Sequence, residues 1–152
     1  MSKLNELIKS NDLEGILEYA REFHGHICPY LALGIRYFSG SVDERILAIV
    51  ETNSCFTDGV QITTGCTLGN NSLVYLDTGK TALTLVKRGS WEGVRVYIDA
   101  EKLRSYYPPN AVELFNKVVK ERKGTEEENK SLQKYGRKPG ENSFTYQKSY
   151  LK

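Results

Sequence analysis

Histidine and cysteine are scarce in this sequence, with two histidines and three cysteines among 152 residues. Three cysteines cannot all pair within one chain, and none of them belongs to a CxxC motif. The sequence therefore excludes a zinc ribbon and argues against a disulfide framework. We interpret the cysteines as thiols or metal ligands of a protein in a reducing compartment.

Long apolar runs and a large charge of one sign are also absent. No run approaches the ~18 apolar residues that a membrane-spanning helix needs, and the opening MSKLNELIKSNDLEG lacks the apolar centre of a signal peptide. The formal net charge of +2 is too small to indicate a nucleic-acid partner. We therefore expect a cytoplasmic protein whose partners include neither a membrane nor nucleic acid.

Hydrophobic periodicity and turn residues predict helices in the first part of an α+β fold. Helical spacing of apolar residues covers residues 3–9 and resumes after Asp12, which can cap a second helix. Gly25 can end that helix in the left-handed conformation. Pro29 suits the first turn of a third helix that ends near Gly40.

The middle of the chain predicts strands and the later part predicts helices. The apolar run 46–52 suits a buried strand, and residues 73–98 alternate in three segments, which predicts a three-stranded antiparallel meander. Asn110 can cap a later helix, and Thr125 with Glu128 forms a capping box for another. We expect an antiparallel or mixed sheet packed against N-terminal and C-terminal helices.

The chain divides into a core domain, residues 1–135, and a basic C-terminal segment, residues 136–152. The segment is either a loose tail or a dimerisation arm that packs on a partner subunit. Tyrosine is enriched at protein interfaces. The tyrosines that suit such an interface, or that could equally cover the domain's own core, are Tyr106, Tyr107, Tyr135, Tyr146 and Tyr150.

The stretch FHGHICPY, residues 23–30, holds both histidines and one cysteine. His24, His26 and Cys28 alternate along a turn between helices, and such a turn can aim several side chains at one point. Imidazole and thiolate are the ligands that zinc and similar divalent metals prefer. Cys28 has a second interpretation, since a helix N-terminus favours the thiolate and makes the sulfur nucleophilic.

The stretch SCFTDGVQITTGC holds the other two cysteines. Thr57 or Asp58 can cap a short helix that Gly65 ends, so that Cys55 and Cys66 flank its two ends. A cysteine alone is more often a small buried hydrophobe than a ligand. The polar residues Asn53, Ser54, Thr57, Asp58, Gln61, Thr63 and Thr64 suit a pocket rim, or a network of caps and turns.

Three ordered motifs resemble the FmdE family, which is named after a component of formylmethanofuran dehydrogenase. They are FHGHICPYLALGIR, ETNSCFTDGVQITTGCTLGN and LDTGKTALTL, and the likeness covers roughly residues 15–90. The resemblance implies an α+β core that dimerises and carries a metal-binding His/Cys site. Many family members also carry a four-cysteine zinc finger, whereas this sequence has no cysteine after Cys66.

Carried over residue by residue, the resemblance assigns the site to a defined set of positions. The implied cluster is His24, His26, Cys28, Cys55, Asp58, Gln61 and Cys66, with Gly65, Thr67, Gly69 and Asn70 in a turn and Gly79 and Lys80 at a strand entry. The sequence has no pterin or iron–sulfur signature. The redox chemistry of the parent enzyme is therefore not expected here.

The first hypothesis is a metal-dependent protein that acts on or carries a one-carbon or carbonyl compound, as an enzyme or as a carrier. We expect zinc, with nickel or iron as alternatives, and an open coordination position. The expected metal ligands are His24, Cys55 and Cys66, and the expected catalytic residues are His26, Cys28 and Asp58. His26 or Asp58 would move protons, and Cys28 would be a further ligand or a nucleophile.

Two other classes of protein fit the same residues. One is an accessory or metal-delivery subunit without turnover, whose meander edge and C-terminal arm form a homodimer or bind an oxidoreductase partner subunit. The other is a thiol redox protein that uses Cys28 with Cys55 or Cys66.

Overall fold

The computed structural model describes residues 2–36, 45–137 and 144–150. The helices are α1 Lys3–Lys9, α2 Leu13–His24, α3 Pro29–Arg36, α4 Cys55–Thr64, α5 Ala100–Tyr106, α6 Ala111–Phe115 and α7 Glu126–Arg137. The strands are β1 Ile46–Val50, β2 Leu73–Tyr75, β3 Ala82–Lys87, β4 Glu92–Ile98 and β5 Phe144–Tyr150. A π-helical turn, Asn116–Lys120, continues α6. The α+β fold class is confirmed.

The five strands form one mixed sheet in the order β2-β1-β3-β4-β5. β2 pairs with β1 in parallel, and the other neighbouring strands are antiparallel. The three strands predicted within residues 73–98 are present, but β1 lies between β2 and β3, so the predicted meander pairing is wrong at that point. The reason is that α4 carries the chain back after β1, and such a crossover brings the next strand in parallel.

The predicted C-terminal segment contributes a strand to this sheet. β5 pairs with β4 along its length, from Glu92 opposite Tyr150 to Ile98 opposite Phe144. At least residues 144–150 are therefore an edge strand of the chain's own sheet. The division at residue 135, and an exchange of this segment in a dimer, stay predictions.

Capping residues set the helix ends around the site as the sequence predicts. The Asp12 side chain accepts a hydrogen bond from the backbone N–H of Gly15 at 3.0 Å, and Gly25 ends α2 with φ of 94°. Pro29 begins α3, whose predicted end near Gly40 lies outside the described residues. A turn of only four residues, 25–28, therefore joins α2 to α3.

Two glycines bring α3 and α4 into close contact. A Cβ atom on Gly34 would overlap the carbonyl oxygen of Phe56, and one on Gly59 would overlap that of Leu31. On the other side of the turn, a Cβ atom on Gly136 of α7 would lie 2.8 Å from the carbonyl carbon of Cys28. The turn is thus held between α4 and α7, which fixes the geometry of its side chains.

The buried apolar residues form two clusters, and the cysteines divide between them. Cys28 and Cys55 belong to the cluster among the helices, together with Leu31 and Leu132. Cys66 belongs to the cluster between the sheet and the helices. The layers of the fold therefore separate Cys66 from the other two thiols.

A buried ion pair ties the end of β1 to β4. Arg95 donates to Glu51 from Nε at 2.6 Å and from a terminal nitrogen at 2.9 Å, and the Thr78 hydroxyl donates to the same carboxylate at 2.7 Å. The Glu51 side chain is 9% exposed. A buried carboxylate is tolerated when it is paired and hydrogen-bonded in this way.

Candidate metal centre

Four candidate ligands meet between the α2–α3 turn and the first residue of α4. His24 ends α2, His26 and Cys28 lie in the turn, and Cys55 begins α4. One potential ligand atom from each of the four residues lies within 4.8 Å of the others. The turn and the helix end thus bring together, from distant parts of the sequence, the nitrogen and sulfur donors that zinc prefers.

The helix that carries Cys55 starts earlier than the sequence predicts. The capping pattern favours Thr57 or Asp58 as the first residue, whereas α4 begins at Cys55 after Ser54 in an extended conformation. Gly65 ends the helix with φ of 69°, as predicted. The earlier start places Cys55 and Asp58 three residues apart on one helix, so that they face the same side.

A hydrogen bond to Asp58 orients the His24 ring. His24 Nδ1 lies 2.6 Å from Asp58 Oδ2, and Gln61 donates to the other oxygen of that carboxylate at 3.0 Å. The nearby Cys55 sulfur, followed by Asp58, raises the His24 pKa despite partial burial. A carboxylate behind a ligating histidine is the usual second-layer partner in metal sites. Asp58 therefore lies behind the cluster.

The other ring nitrogen of His24 is the buried atom that the protein leaves without a partner. His24 Nε2 is inaccessible to solvent and makes no hydrogen bond with the described residues. Burying a polar nitrogen without a partner is unfavourable. A metal ion bound by this nitrogen would satisfy it, so the residues present fit a metal site.

The thiolate of the cluster belongs to Cys55. The Cys28 thiol donates to its sulfur, His24 and His26 add further stabilisation, and the pKa of Cys55 falls to about 3. His26 Nε2 lies 3.7 Å from the Cys55 sulfur. A thiolate is the form in which cysteine binds metals, so Cys55 is prepared for a cation.

Cys28 shows the opposite behaviour to the one its position before α3 predicts. Its side chain is completely buried, and this burial, followed by the neighbouring Cys55, raises the pKa of the Cys28 thiol well above its usual range. Desolvation outweighs the backbone hydrogen bonds from Tyr30 and Leu31 that lower the pKa. The prediction of a nucleophilic thiolate at Cys28 is therefore not supported.

The fold does not bring Cys66 to the cluster. The ten residues of α4 extend over about 15 Å, and Cys66 follows the end opposite to Cys55. Its sulfur lies 3.7 Å from the carbonyl oxygen of Ile46, within the second apolar cluster. The predicted meeting of Cys55 and Cys66 at one metal is therefore replaced by a meeting of Cys55 with Cys28.

Several other motif residues build turns and helix ends. Thr67 and Asn70 bond to each other through side chain and backbone at 2.9 and 3.2 Å, and the Asn70 amide donates to Gly65 O at 2.8 Å. The Thr63 and Thr64 hydroxyls donate to carbonyls one turn earlier in α4. These residues therefore support the capping and turn network.

Two cavities adjoin the cluster. The first, the α4 cavity, has a volume of about 430 Å³ and is lined by His24, Asn53, Ser54, Thr57, Asp58, Gln61, Val50, Thr52, Leu68, Leu73 and Tyr75. The second, the π-turn cavity, has a volume of about 460 Å³ and is lined by His24, Gly25, His26, Cys55, Val118, Val119, Arg122 and Asn129. The candidate ligands are therefore reachable from two sides.

The sequence reasoning missed the wall of the π-turn cavity. Val118, Arg122 and Asn129 lie about a hundred residues after the histidines and carry no metal-binding motif. Only the packing of the π-helical turn and α7 against the α2–α3 turn brings them to the site. Within the described residues, no helix is long and apolar enough to cross a membrane.

These features define an α+β protein with a candidate metal centre of two histidines and two cysteines. A family model described as "FmdE, Molybdenum formylmethanofuran dehydrogenase operon" matches residues 23–151. The match includes all four clustered residues and most of the chain. The chain belongs to the FmdE family.

Two relatives extend this comparison. A curated protein of Archaeoglobus fulgidus, named "Probable S-adenosyl-L-methionine-binding protein", is 53% identical over 141 residues, covering 84% of this chain and 38% of the relative. The chain thus spans well under half of that relative. A crystal structure of an FmdE-like protein of tungsten formylmethanofuran dehydrogenase from Syntrophus aciditrophicus is 26% identical, with a TM-score of 0.61, covering 92% of this chain and 73% of that one.

Proposed function

We propose that the cluster binds one divalent transition metal, with zinc as the first candidate and nickel or iron as alternatives. The observation that carries the proposal is the convergence of four donor atoms within 4.8 Å, one residue of which keeps a buried ring nitrogen without a partner. When bound, such a metal would supply a Lewis acid that polarises an oxygen atom of a substrate.

In this proposal, His24, His26 and Cys55 are the ligands, because these three line the π-turn cavity. Cys28 donates its S–H to the Cys55 sulfur from the core side and so orients that ligand. Three protein ligands leave one position of a tetrahedral site open toward the cavity, as in catalytic zinc sites. Asp58 holds the His24 ring and keeps the proton on Nδ1, which leaves Nε2 for the metal.

The open position would receive a one-carbon or carbonyl compound, which the protein acts on or carries. Membership of the FmdE family and the two cavities beside the cluster support this assignment. The proton-moving role expected for Asp58 is less suited to its place, since both carboxylate oxygens already have partners. His26 lines the π-turn cavity and stays the candidate for proton transfer beside the substrate, before or instead of ligation.

Metal content by elemental mass spectrometry tests the proposal. We expect near-stoichiometric metal in protein purified without an affinity tag, and its loss in Cys55→Ser and in His24→Ala. Cys66→Ser is the matched control, because it changes a buried cysteine outside the cluster and should keep its metal. Absence of metal in the unmodified protein, or equal loss in Cys66→Ser, would contradict the site.

A thiol redox role is a second candidate, supported by the hydrogen bond between Cys28 and Cys55. In that role the pair would form a disulfide and pass two electrons to a small disulfide oxidant. With one proton from solvent and the one from Cys28, the oxidant would leave as two thiols. Oxidised glutathione, incubated with metal-free protein, should then produce an internal Cys28–Cys55 disulfide by mass mapping; persistent free thiols would exclude this role.

The name of the Archaeoglobus fulgidus relative makes S-adenosylmethionine another ligand to test. An apolar cavity of about 420 Å³ between α3 and the α5–α6 region, lined in part by Tyr30, Tyr107 and Phe115, could stack a flat heterocycle. Isothermal titration of the metal-loaded protein should give a saturable heat if this chain binds the compound. No heat would place the property in the remainder of the relative.

The assembly and location complete the proposal. We infer a cytoplasmic homodimer, or an accessory subunit that delivers metal to an oxidoreductase partner. Light scattering should give twice the chain mass of 17.2 kDa for the homodimer. Deleting residues 136–152 is a poor test of this assembly, since it would also remove β5 from the sheet.

A further inference from the structure

The π-turn cavity combines the candidate metal ligands with a cationic side chain. Its lining joins His24, His26 and Cys55 on one side to Arg122 and Asn129 on the other. The lining residues between them, Val118 and Val119, are apolar. A ligand in this cavity would therefore meet the metal at one end and a guanidinium at the other.

Arg122 occupies a backbone position that normally favours glycine. Its φ is 54°, and the hydrogen bonds around it, from Glu121 N to Asn116 O at 2.9 Å and from Lys123 N to Lys117 O at 3.0 Å, close the end of the π-helical turn. Glycine is the usual residue at such a left-handed helix end. The turn by itself therefore gives no reason for an arginine here.

The charge of Arg122 is not used by a neighbouring side chain. Lys117, on the same π-helical turn, pairs with Glu128 at 2.6 Å, whereas Arg122 has no ion pair with any residue that the structure describes. An arginine fork matches the two oxygens of a carboxylate. Short π-helical segments also occur frequently at functional sites.

We propose that the π-turn cavity binds an organic ligand that bears a carboxylate, with Arg122 holding this group. The other end of the ligand reaches the metal centre, and this inference rests on the metal-binding function proposed above. Arg122 thereby selects carboxylate ligands over neutral ligands of the same shape. The volume of about 460 Å³ lies within the range of small-molecule sites.

A matched pair of probes tests this selection in cobalt-substituted protein. Mercaptoacetate and mercaptoacetamide have the same shape and both offer a sulfur to the metal, but only the first carries a carboxylate. Each is titrated while the cobalt absorption bands are followed, and the ratio of the two dissociation constants gives the carboxylate preference. Arg122→Gly should reduce that preference about fivefold, the upper range for an exposed ion pair.

The comparison between proteins cancels the different thiol acidities of the probes, because both proteins see the same pair. Arg122→Gly should keep or raise the thermal midpoint, since glycine suits the positive φ. Lys120→Gln controls for loss of a nearby exposed charge outside the cavity lining. Asn11→Gly controls for relief of a positive φ, 53°, elsewhere.

The outcomes separate the two proposals. Cobalt bands that ignore both probes, or a carboxylate preference that is equal in wild type and Arg122→Gly, would overturn the carboxylate site while leaving the metal site in place. Failure of the wild-type protein to bind cobalt would overturn both. A fivefold fall in Arg122→Gly, with both controls unchanged, would support the assignment.

Discussion

Removal of the Asp58 carboxylate should weaken metal binding without unfolding the site. Asp58 accepts a hydrogen bond from His24 Nδ1 across 2.6 Å, while the buried Nε2 faces the cluster. In Asp58→Ala the ring loses both its orientation and the partner that fixes its tautomer. Loss of such a partner typically lowers metal affinity by 10- to 100-fold, roughly 1.4–2.7 kcal/mol.

The exposure of the pair places the expected effect at the lower end of this range. The His24 side chain is 11% exposed and that of Asp58 is 32% exposed, so water partly screens their interaction. We expect about a tenfold rise in the zinc dissociation constant for Asp58→Ala. Asp58→Asn keeps an oxygen acceptor but removes the charge, and its effect should be smaller.

Competition with a chromophoric chelator measures these dissociation constants directly. Thr57→Ala is the matched control, since the Thr57 hydroxyl donates to Thr52 O at 2.7 Å in the same helical turn but lies outside the ligand set. It should change zinc affinity by less than about twofold. Equal affinities for wild type and Asp58→Ala would refute the view that this carboxylate supports a metal ligand.

Three further predictions concern stability and thiol chemistry. Arg95 lowers the pKa of Glu51 below its ordinary value of 4.5, so the ionised pair stabilises the folded protein above about that pH. This stabilisation should be lost as the pH falls through the lowered value, and urea unfolding should show a flatter acid profile in Arg95→Met. Gly34→Ala forces a methyl group onto Phe56 O and should cost about 3 kcal/mol, measured by the same unfolding. In metal-free protein, iodoacetamide should label Cys55 first, at a rate nearly constant between about pH 5 and pH 8, because its pKa is about 3.

Controls distinguish these effects from general loosening. Gly25→Ala meets no atom within 4 Å, so it should cost only the strain of a positive φ, about 1 kcal/mol, and less than Gly34→Ala. Equal costs would argue against the close α3–α4 contact. Labelling of Cys66 ahead of Cys55, or an acid profile unchanged in Arg95→Met, would contradict the corresponding prediction.

The order of β-strands shows what alternation alone leaves open. Period-two patterns located β2, β3 and β4 because alternation is a property of neighbouring residues. Which strands pair depends on the path between them, and α4 returns the chain so that β2 joins β1. The meander prediction failed at that pairing since no local pattern records a crossover.

The candidate site divides in the same way. The sequence by itself determined the helix ends at Asp12, Gly25 and Gly65 and the presence of a His/Cys turn, because caps and turns depend on a few adjacent residues. Its family motifs also marked the residues that the cluster draws on. These signals are local, so they survive without knowledge of the packing.

Only the tertiary structure decided which thiols meet and how they are charged. The rigid length of α4 separates Cys66 from Cys55, and the close packing of α3, α4 and α7 brings Cys28 beside Cys55 instead. Burial then raises the pKa of the Cys28 thiol, while its hydrogen bond lowers that of Cys55. Packing also places Arg122 at the cavity beside these ligands, because distance and desolvation are properties of the folded chain rather than of residue order.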